Sequence, residues 1–267
     1  MTASTSPRGA LTQIARAGGL WLIGWWRQVH LGALLLVLAL SPSSYAAAYR
    51  RTLAEHIYLG TTSALMGFTV LSTLISLVVI RIVLVTALSY GLTQYALEMV
   101  VRVLVLELIP LTAALFAALR CTLPNAAEIA ALRSREGWDV SAPAGIEQLR
   151  REVLPRLIAN LYCALMMAAV SCVATLIVAY LSVYGFTLAG LATYSHTVGQ
   201  VFNPAVSLIF ALKIVFLGLT VALMPITAVL ELPRRRRSRT SAELQGLVRM
   251  FLVILLIEAA SLVGNYY

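Results

Sequence analysis

Six charged side chains fall inside or beside long apolar runs of this 267-residue chain: Arg81, Glu98, Arg102, Glu107, Lys213 and Glu258. A charge taken from water into hydrocarbon is expensive unless paired or hydrated, so each of them should face protein or water. Glu98 and Arg102 stand four residues apart on one helix face and should pair locally. Arg81 and Glu258 are placed to snorkel toward an interface. Glu107 lies deeper and is followed by Pro110, whose missing N–H and crowding ring should bend the helix there. That makes Glu107, with Pro110, a candidate for lining a cavity. Other chemistries lack their residues. There is no GxxxxGK[ST] loop for a nucleotide, no HExxH and no GxSxG, and His30, His56 and His196 are far apart in sequence. Cys121, Cys163 and Cys172 are odd in number and lack metal-ligand spacing, so neither a disulfide framework nor a metal site is expected.

The elements that hold these residues are membrane helices. The chain is 60% hydrophobic and 12% charged, with mean hydropathy +0.89, against about 45–50% apolar residues in soluble domains. A hydrocarbon core about 30 Å thick takes about 20 helical residues to cross. Spans of that length run from about Thr62 to Ala87, Ala96 to Leu119, Pro155 to Tyr184, Val201 to Leu230 and Leu244 to Gly264. They mix Leu, Ala, Val and Ile without a period of two, which excludes barrel strands. The preceding stretch, Trp21 to Leu40, differs: it carries Trp21, Trp25, Trp26, Arg27 and His30 and stops at Ser41-Pro42. It reads as an interfacial or re-entrant helix, with its indoles at headgroup depth; a sixth span is the alternative. The expected fold is therefore an all-α integral membrane protein, one transmembrane domain over residues 1–267, with an N-terminal region (1–51), five transmembrane helices and a polar segment at 120–156. The polar N-terminus, Met1 to Gly19, is followed by membrane segments rather than a cleavage site, so removal of a signal peptide is not expected.

Arginine placement gives the orientation. Arg8, Arg16, Arg27, Arg50 and Arg51 precede the first span; Arg120, Arg133, Arg135, Arg150, Arg151 and Arg156 lie in the polar segment; and Arg234 to Arg237, Arg239 and Arg249 surround the last connection. The connections near Ser89 to Tyr95 and Phe186 to Gln200 have neither Arg nor Lys. The arginine-bearing segments, N-terminus included, are expected in the cytoplasm. The net charge of +9 is then topological and not a nucleic-acid surface, and the run from Arg234 holds its loop against anionic lipid. In the polar segment, Asn125 is placed to cap a helix whose third position is Glu128, and Gly137 supplies a stop. A second helix should start near Pro143 and run through Glu147, Leu149, Arg150 and Val153.

The stretch Leu106-Glu107-Leu108-Ile109-Pro110, then Arg120, Ala127-Glu128-Ile129, Arg133, Glu136 and Leu154-Pro155-Arg156 resembles the MlaE-type (YrbE) permease family. These are membrane subunits of ABC lipid transporters that work with MCE-domain proteins. The family pattern is approximately R-E-x-G-P, G-R-x-G, A-E-x-G, T-E-Q and x-P-R, and its spacing is kept without a gap from Glu107 to Arg156. Departures mark a divergent member: Leu106 stands where the family has arginine, Ile109 where it has glycine, Leu119-Arg120-Cys121-Thr122 for G-R-x-G, and Glu147-Gln148 for a late D-P.

The resemblance implies two permease copies, or two related ones, around a lipid cavity in a bacterial inner membrane. It further implies ABC ATPase subunits docked on cytoplasmic coupling helices and an MCE-domain protein on the periplasmic side. Carried onto this chain, the coupling helix would be Asn125 to Glu136, with Ile129 and Leu132 as apolar anchors and Glu128, Arg133 and Glu136 in polar contacts, a helix-in-groove mode. Glu107 would be the retained cavity residue. ATP and Mg would belong to the partner ATPase, with no cofactor on this chain. Apolar residues from Leu65 to Val79 and Val206 to Leu219 are candidate lipid lining. The competing readings are an ion-coupled secondary transporter, which should show inverted repeats and helices broken at the midplane, and a non-transporting membrane scaffold.

Overall fold

The computed structural model describes residues 7–41, 47–137, 143–231 and 239–266. Among these there is no strand. Ten α-helices follow in order: α1 (Pro7–Leu40), α2 (Ala47–Ser89), α3 (Thr93–Met99), α4 (Ile109–Ala117), α5 (Leu123–Glu136), α6 (Pro143–Gln148), α7 (Leu154–Tyr184), α8 (Leu191–Val201), α9 (Pro204–Glu231) and α10 (Arg239–Tyr266). Three π-helical stretches, Val100–Leu108, Ala118–Thr122 and Leu149–Val153, join α3 to α4, α4 to α5 and α6 to α7. The chain is therefore one unbroken helix from Thr93 to Glu136 and another from Pro143 to Tyr184.

Each π stretch ends just before a proline: Pro110, Pro124 or Pro155. A proline leaves the carbonyl four residues back without its donor and crowds it. Widening the preceding turn is a known way for a helix to absorb such an insertion without breaking. The bend expected at Pro110 is thus a change of helical register inside a continuous helix. The polar segment differs from expectation for the same reason. Asn125 does not cap a helix, because α5 is already under way; its amide instead donates to Asn160 Oδ1 of α7 at 2.6 Å. Gly137 does end the helix, at φ 71°, ψ 18°, with its N–H on Arg133's carbonyl, in the left-handed conformation glycine adopts at no steric cost. Pro143 opens the next one.

Six helical windows are long and apolar enough to cross a bilayer: Ile23–Leu40, Arg51–Ser89, Tyr95–Glu136, Gly145–Tyr184, Pro204–Glu231 and Leu244–Asn265. Between 22% and 50% of each window is buried. Many of their large apolar side chains are exposed, among them Met66, Val70, Leu74 and Ile82 of α2 and Leu252, Leu255 and Leu256 of α10, as helices surrounded by lipid or by another membrane chain require. The five expected spans are all present. The segment before them is also long and apolar enough, although it is the least hydropathic of the six. Phe186 to Gln200, expected as a loop, is largely helical: Leu188–Gly190 makes a 3₁₀ turn and α8 follows. Tyr194 seats α8 on α7 by donating to Leu176's carbonyl at 2.7 Å, and burial pushes its phenol up to about 12, with Tyr184 adding to the shift.

Side-chain pairs fix the directions. Cys163 lies against Gly60 and Ser76 against Thr175 (2.8 Å), so α2 and α7 climb side by side in parallel. The helix over 93–136 and α9 run back. Arg51, Arg120, Arg133, Arg156 and Arg249 consequently gather toward one end of the bundle. Gln28 of α1 donates to Met224's carbonyl and accepts from Arg249. Leu35 and Leu38 share a buried cluster with Ile129, Leu149, Leu154, Ile226 and Leu230. All these partners lie toward the arginine-rich end, although Gln28 to Leu38 is about 15 Å of helix.

Three further clusters complete the core. The central one joins Ala64 and Phe68 of α2 to Ala113–Ala118, Met167, Leu217, Val221, Met250 and Ile254. Two others lie toward the far end, one around Ile80, Leu104, Ile109 and Ala179, the other around Leu97, Leu106, Tyr194 and Val206. Small residues set the spacing of the helices, as in membrane bundles generally. A Cβ on Gly246 of α10 would stand 2.7 Å from Ala228's Cβ on α9. Gly246→Ala should therefore push α9 and α10 apart and destabilise the chain by about 1–3 kcal/mol. Gly199→Ala, at a helical position with open space around it, should be neutral or slightly stabilising. Thermal unfolding of the two variants in detergent separates them, and equal midpoints would contradict the close approach.

Candidate functional site

The chain's only lysine is also the most deeply buried charge among the described residues. Lys213 lies about nine residues, or about 14 Å, along α9 from Pro204. Its side chain is 1% exposed. Its ammonium meets the Glu107 carboxylate, the Glu258 carboxylate at 2.6 Å and the carbonyl of Leu106 at 3.1 Å. Asn265, near the end of α10, donates to the other oxygen of Glu107 at 3.3 Å. Three elements meet here: the π stretch Val100–Leu108, α9 and α10.

Sequence chemistry accounts for the arrangement. Pro110 has no N–H to give Leu106, four residues earlier, and Lys213 supplies a donor to that carbonyl. An ammonium has three donors and no acceptor; two carboxylates and one carbonyl match it. Glu107 and Glu258 are 16% and 12% exposed at the side chain, so neither reaches bulk water freely. With both carboxylates ionised the cluster holds two negative charges against one positive. It is a strong clamp between helices, because breaking a buried pair by removing one partner leaves a charge uncompensated at about 3–5 kcal/mol.

Glu258 was expected to snorkel; it points inward to Lys213 instead. Glu107 is held by Lys213 and Asn265 and is not simply presented to a cavity. Glu98 and Arg102 do pair, at 2.9 Å, and Arg81 is exposed. Among the lining candidates, Leu65 packs against the central cluster, Val79 against the cluster around Ile80, and Pro110 is buried.

A second constellation holds α5 in place. Arg133 donates to the carbonyls of Val229 (3.1 Å) and Leu230 (2.8 Å), two of the last acceptors of α9, which have no partner further along their own helix. Arg156, 10% exposed at the side chain, lies between Glu128 of α5 at 3.5 Å and Glu152 at 3.7 Å. Asn125 and Asn160 add the amide bond, and Ile129 is fully buried. Ile129 has no surface to offer and anchors α5 to its own chain, while Arg133's guanidinium caps α9. Glu128 remains 62% exposed at the side chain, Leu132 is half-buried and Glu136 exposed.

At the same end, Arg249 donates to Gln28 (2.9 Å) and Glu231 (3.1 Å), binding α1, α9 and α10. The arginine run Arg234 to Arg237 lies outside the described residues. No reading of the sequence had joined Arg249 to Gln28, or Lys213 to Glu107 and Glu258. The available signal for the latter was a lysine alone in an apolar span, which obliges a search for carboxylates on other helices.

Lys213→Met should strand two buried carboxylates and cost about 3–5 kcal/mol, read as a loss of monodisperse protein on fluorescence-detected size exclusion after heating. Adding Glu107→Gln and Glu258→Gln to the same chain should recover most of that loss. A single variant as stable as the parent would show that Lys213 does not compensate the carboxylates.

A family model described as Permease MlaE matches residues 53–263. No individual curated protein and no solved structure matches the chain. The matched range runs from α2 into α10, so it takes in the lysine cluster and α5 and leaves α1 outside. With that much of its 267 residues covered, and with its membrane-length helices, the chain belongs to the MlaE permease family and is a multi-pass transporter membrane subunit rather than a catalytic enzyme.

Proposed function

We propose that this chain is the permease of an ABC transporter that moves phospholipid, or a lipid like it, between the inner membrane of a bacterial cell and a periplasmic MCE-domain protein. The work is done by a separate ATPase that holds ATP and Mg. The observation that carries the reading is α5. It is an unbroken continuation of a membrane helix and is bonded to the ends of α7 and α9, so a displacement of α5 is passed directly to three membrane elements. In this role α5 is the coupling helix. Its exposed side, with Glu128, Leu132 and Glu136, meets the ATPase, while Ile129 and Arg133 hold the other side to the bundle.

The arginine-rich end is then cytoplasmic, following the charge bias of its loops. The position of α1 fits an interfacial helix: over about 15 Å its partners all lie at that one end of the bundle, and Trp26 and His30 are exposed. A second copy of the chain, or a related permease, would cover part of the outward apolar surface and close a lipid path with it. Each methylene of an acyl chain is worth about 0.8 kcal/mol of burial, so a lipid crossing toward the periplasm needs such an apolar lining throughout. Glu107, Pro110, Leu65 and Val79 flank the path in this reading, with the lysine cluster as a fixed wall.

The test is purification of the full chain from its native membrane in mild detergent, followed by mass spectrometry of associated proteins and extracted lipid. An ATPase and an MCE-domain protein recovered in fixed ratio are expected. The chain recovered alone, intact and folded, would instead favour a secondary transporter or a scaffold. Leu132→Asp should release the ATPase and leave the permease folded in the membrane; undiminished retention would remove Leu132 from the contact.

A further inference from the structure

All three cysteines are free thiols. Cys172 stands apart, its buried thiol facing Val105's carbonyl. The other two do not. Cys121, in the π stretch that leads directly into α5, and Cys163, on α7, place their sulfurs 3.0 Å apart. Both sulfurs also lie against the carbonyl of Gly60 on α2, at 3.8 and 3.9 Å. A disulfide requires the sulfurs at about 2.05 Å, so about 1 Å of closure separates this pair from a bond. Cys163 and Cys172 are about nine residues, or about 14 Å, apart on α7 and cannot exchange places without unwinding the helix.

We propose that Cys121 and Cys163 are an oxidisable dithiol, converted by a peroxide to a disulfide that fastens the root of α5 to α7. The chemistry balances in two steps. One thiol takes an oxygen from hydrogen peroxide to become a sulfenic acid, releasing water; the second thiol then attacks that sulfur, the S–S bond forms, and the hydroxyl leaves as a second water. In sum, two thiols and one peroxide give one disulfide and two waters.

The partners are already oriented. Residue exposures of 7% and 1% keep large thiols such as glutathione away, whereas a molecule as small as hydrogen peroxide needs only a narrow opening at Cys121. Intramolecular capture by a sulfur 3.0 Å away outruns a second oxidation of the sulfenic acid, as expected where a resolving cysteine sits beside the oxidised one. The consequence follows from position. Cys121 stands two residues before Leu123, the first residue of α5, and the bond fixes to α7 the segment on which α5 would have to turn. The bond itself is independent of the transport reading; only this consequence rests on it.

The test treats the full chain in its native membrane with hydrogen peroxide, then alkylates, denatures and digests it. The expected product joins the peptide starting at Cys121 to the peptide containing Cys163, is lost on reduction, persists in Cys172→Ala and is absent in Cys163→Ala. Three results would overturn the proposal: both thiols still alkylatable after peroxide, oxidation stopping at sulfinic acid without a link, or a link that survives Cys163→Ala. Small apolar replacements suit these sites because a buried free cysteine packs as a small hydrophobe. If the link forms, lipid transport should fall on oxidation and return with reductant. Loss of the link in Cys121→Ala with the peroxide effect on transport unchanged would separate the bond from any regulatory role.

Discussion

Hydrocarbon offers no water to a polar group, so every N–H, carbonyl and charge at membrane depth must find its partner inside the protein. Much of this structure is an answer to that constraint. Lys213 is the most demanding case: a compact, strongly hydrated ammonium carried into a bundle where its side chain is 1% exposed. Its three acceptors come from two other elements, and the cluster they form sets how α9 and α10 meet the π stretch that carries Glu107. The carbonyl of Leu106 is available because Pro110 cannot use it, so a proline in one helix and a lysine in another solve each other's problem.

The same rule governs the arginine-rich end with different parts. There the liability is the row of terminal carbonyls that every helix exposes. Arg133 satisfies two of those on α9, and Arg249 brings α1 and α10 to the carboxylate of Glu231. The three prolines that could have cut the long helices are absorbed by π turns, which keep the backbone continuous. Continuity matters for what the helices can do: α5 is not hung from the bundle by a loop but grows out of it.

What could be read from the sequence was what depends on neighbours along the chain. Hydropathy gave the five spans, the four-residue spacing gave Glu98–Arg102, and the glycine at 137 and proline at 143 gave a helix end and a helix start. The expected cap at Asn125 failed although its motif was sound, since a local hydrogen bond loses its purpose once the helix is continuous and Asn160 is within reach. The lysine cluster was out of view because its members, at 107, 213 and 258, are related only by how three helices pack. Ile129 shows the same limit: an apolar residue on a polar helix marks a buried face without saying whose surface buries it.

The forces that seat α5 are unequal, and the inequality says how it would move. The Glu128–Arg156 pair, with Glu128 mostly exposed, is worth no more than about 1 kcal/mol. A charged hydrogen bond such as either of Arg133's to α9 is worth about 1.5–3 kcal/mol, and full burial of a side chain like Ile129's is worth about as much. The two Arg133 bonds thus tie α5 to the last turn of α9, so a partner pulling on α5 draws that turn with it, while the Asn125–Asn160 bond and the packing of Ile129 also keep α5 against α7. Between this turn and Lys213 lies Pro225, inside α9, which cannot donate to Val221 and so leaves one bond out of that helix's ladder. On the proposed mechanism α9 flexes at Pro225, so that its lower end follows α5 while the lysine cluster keeps the upper bundle closed.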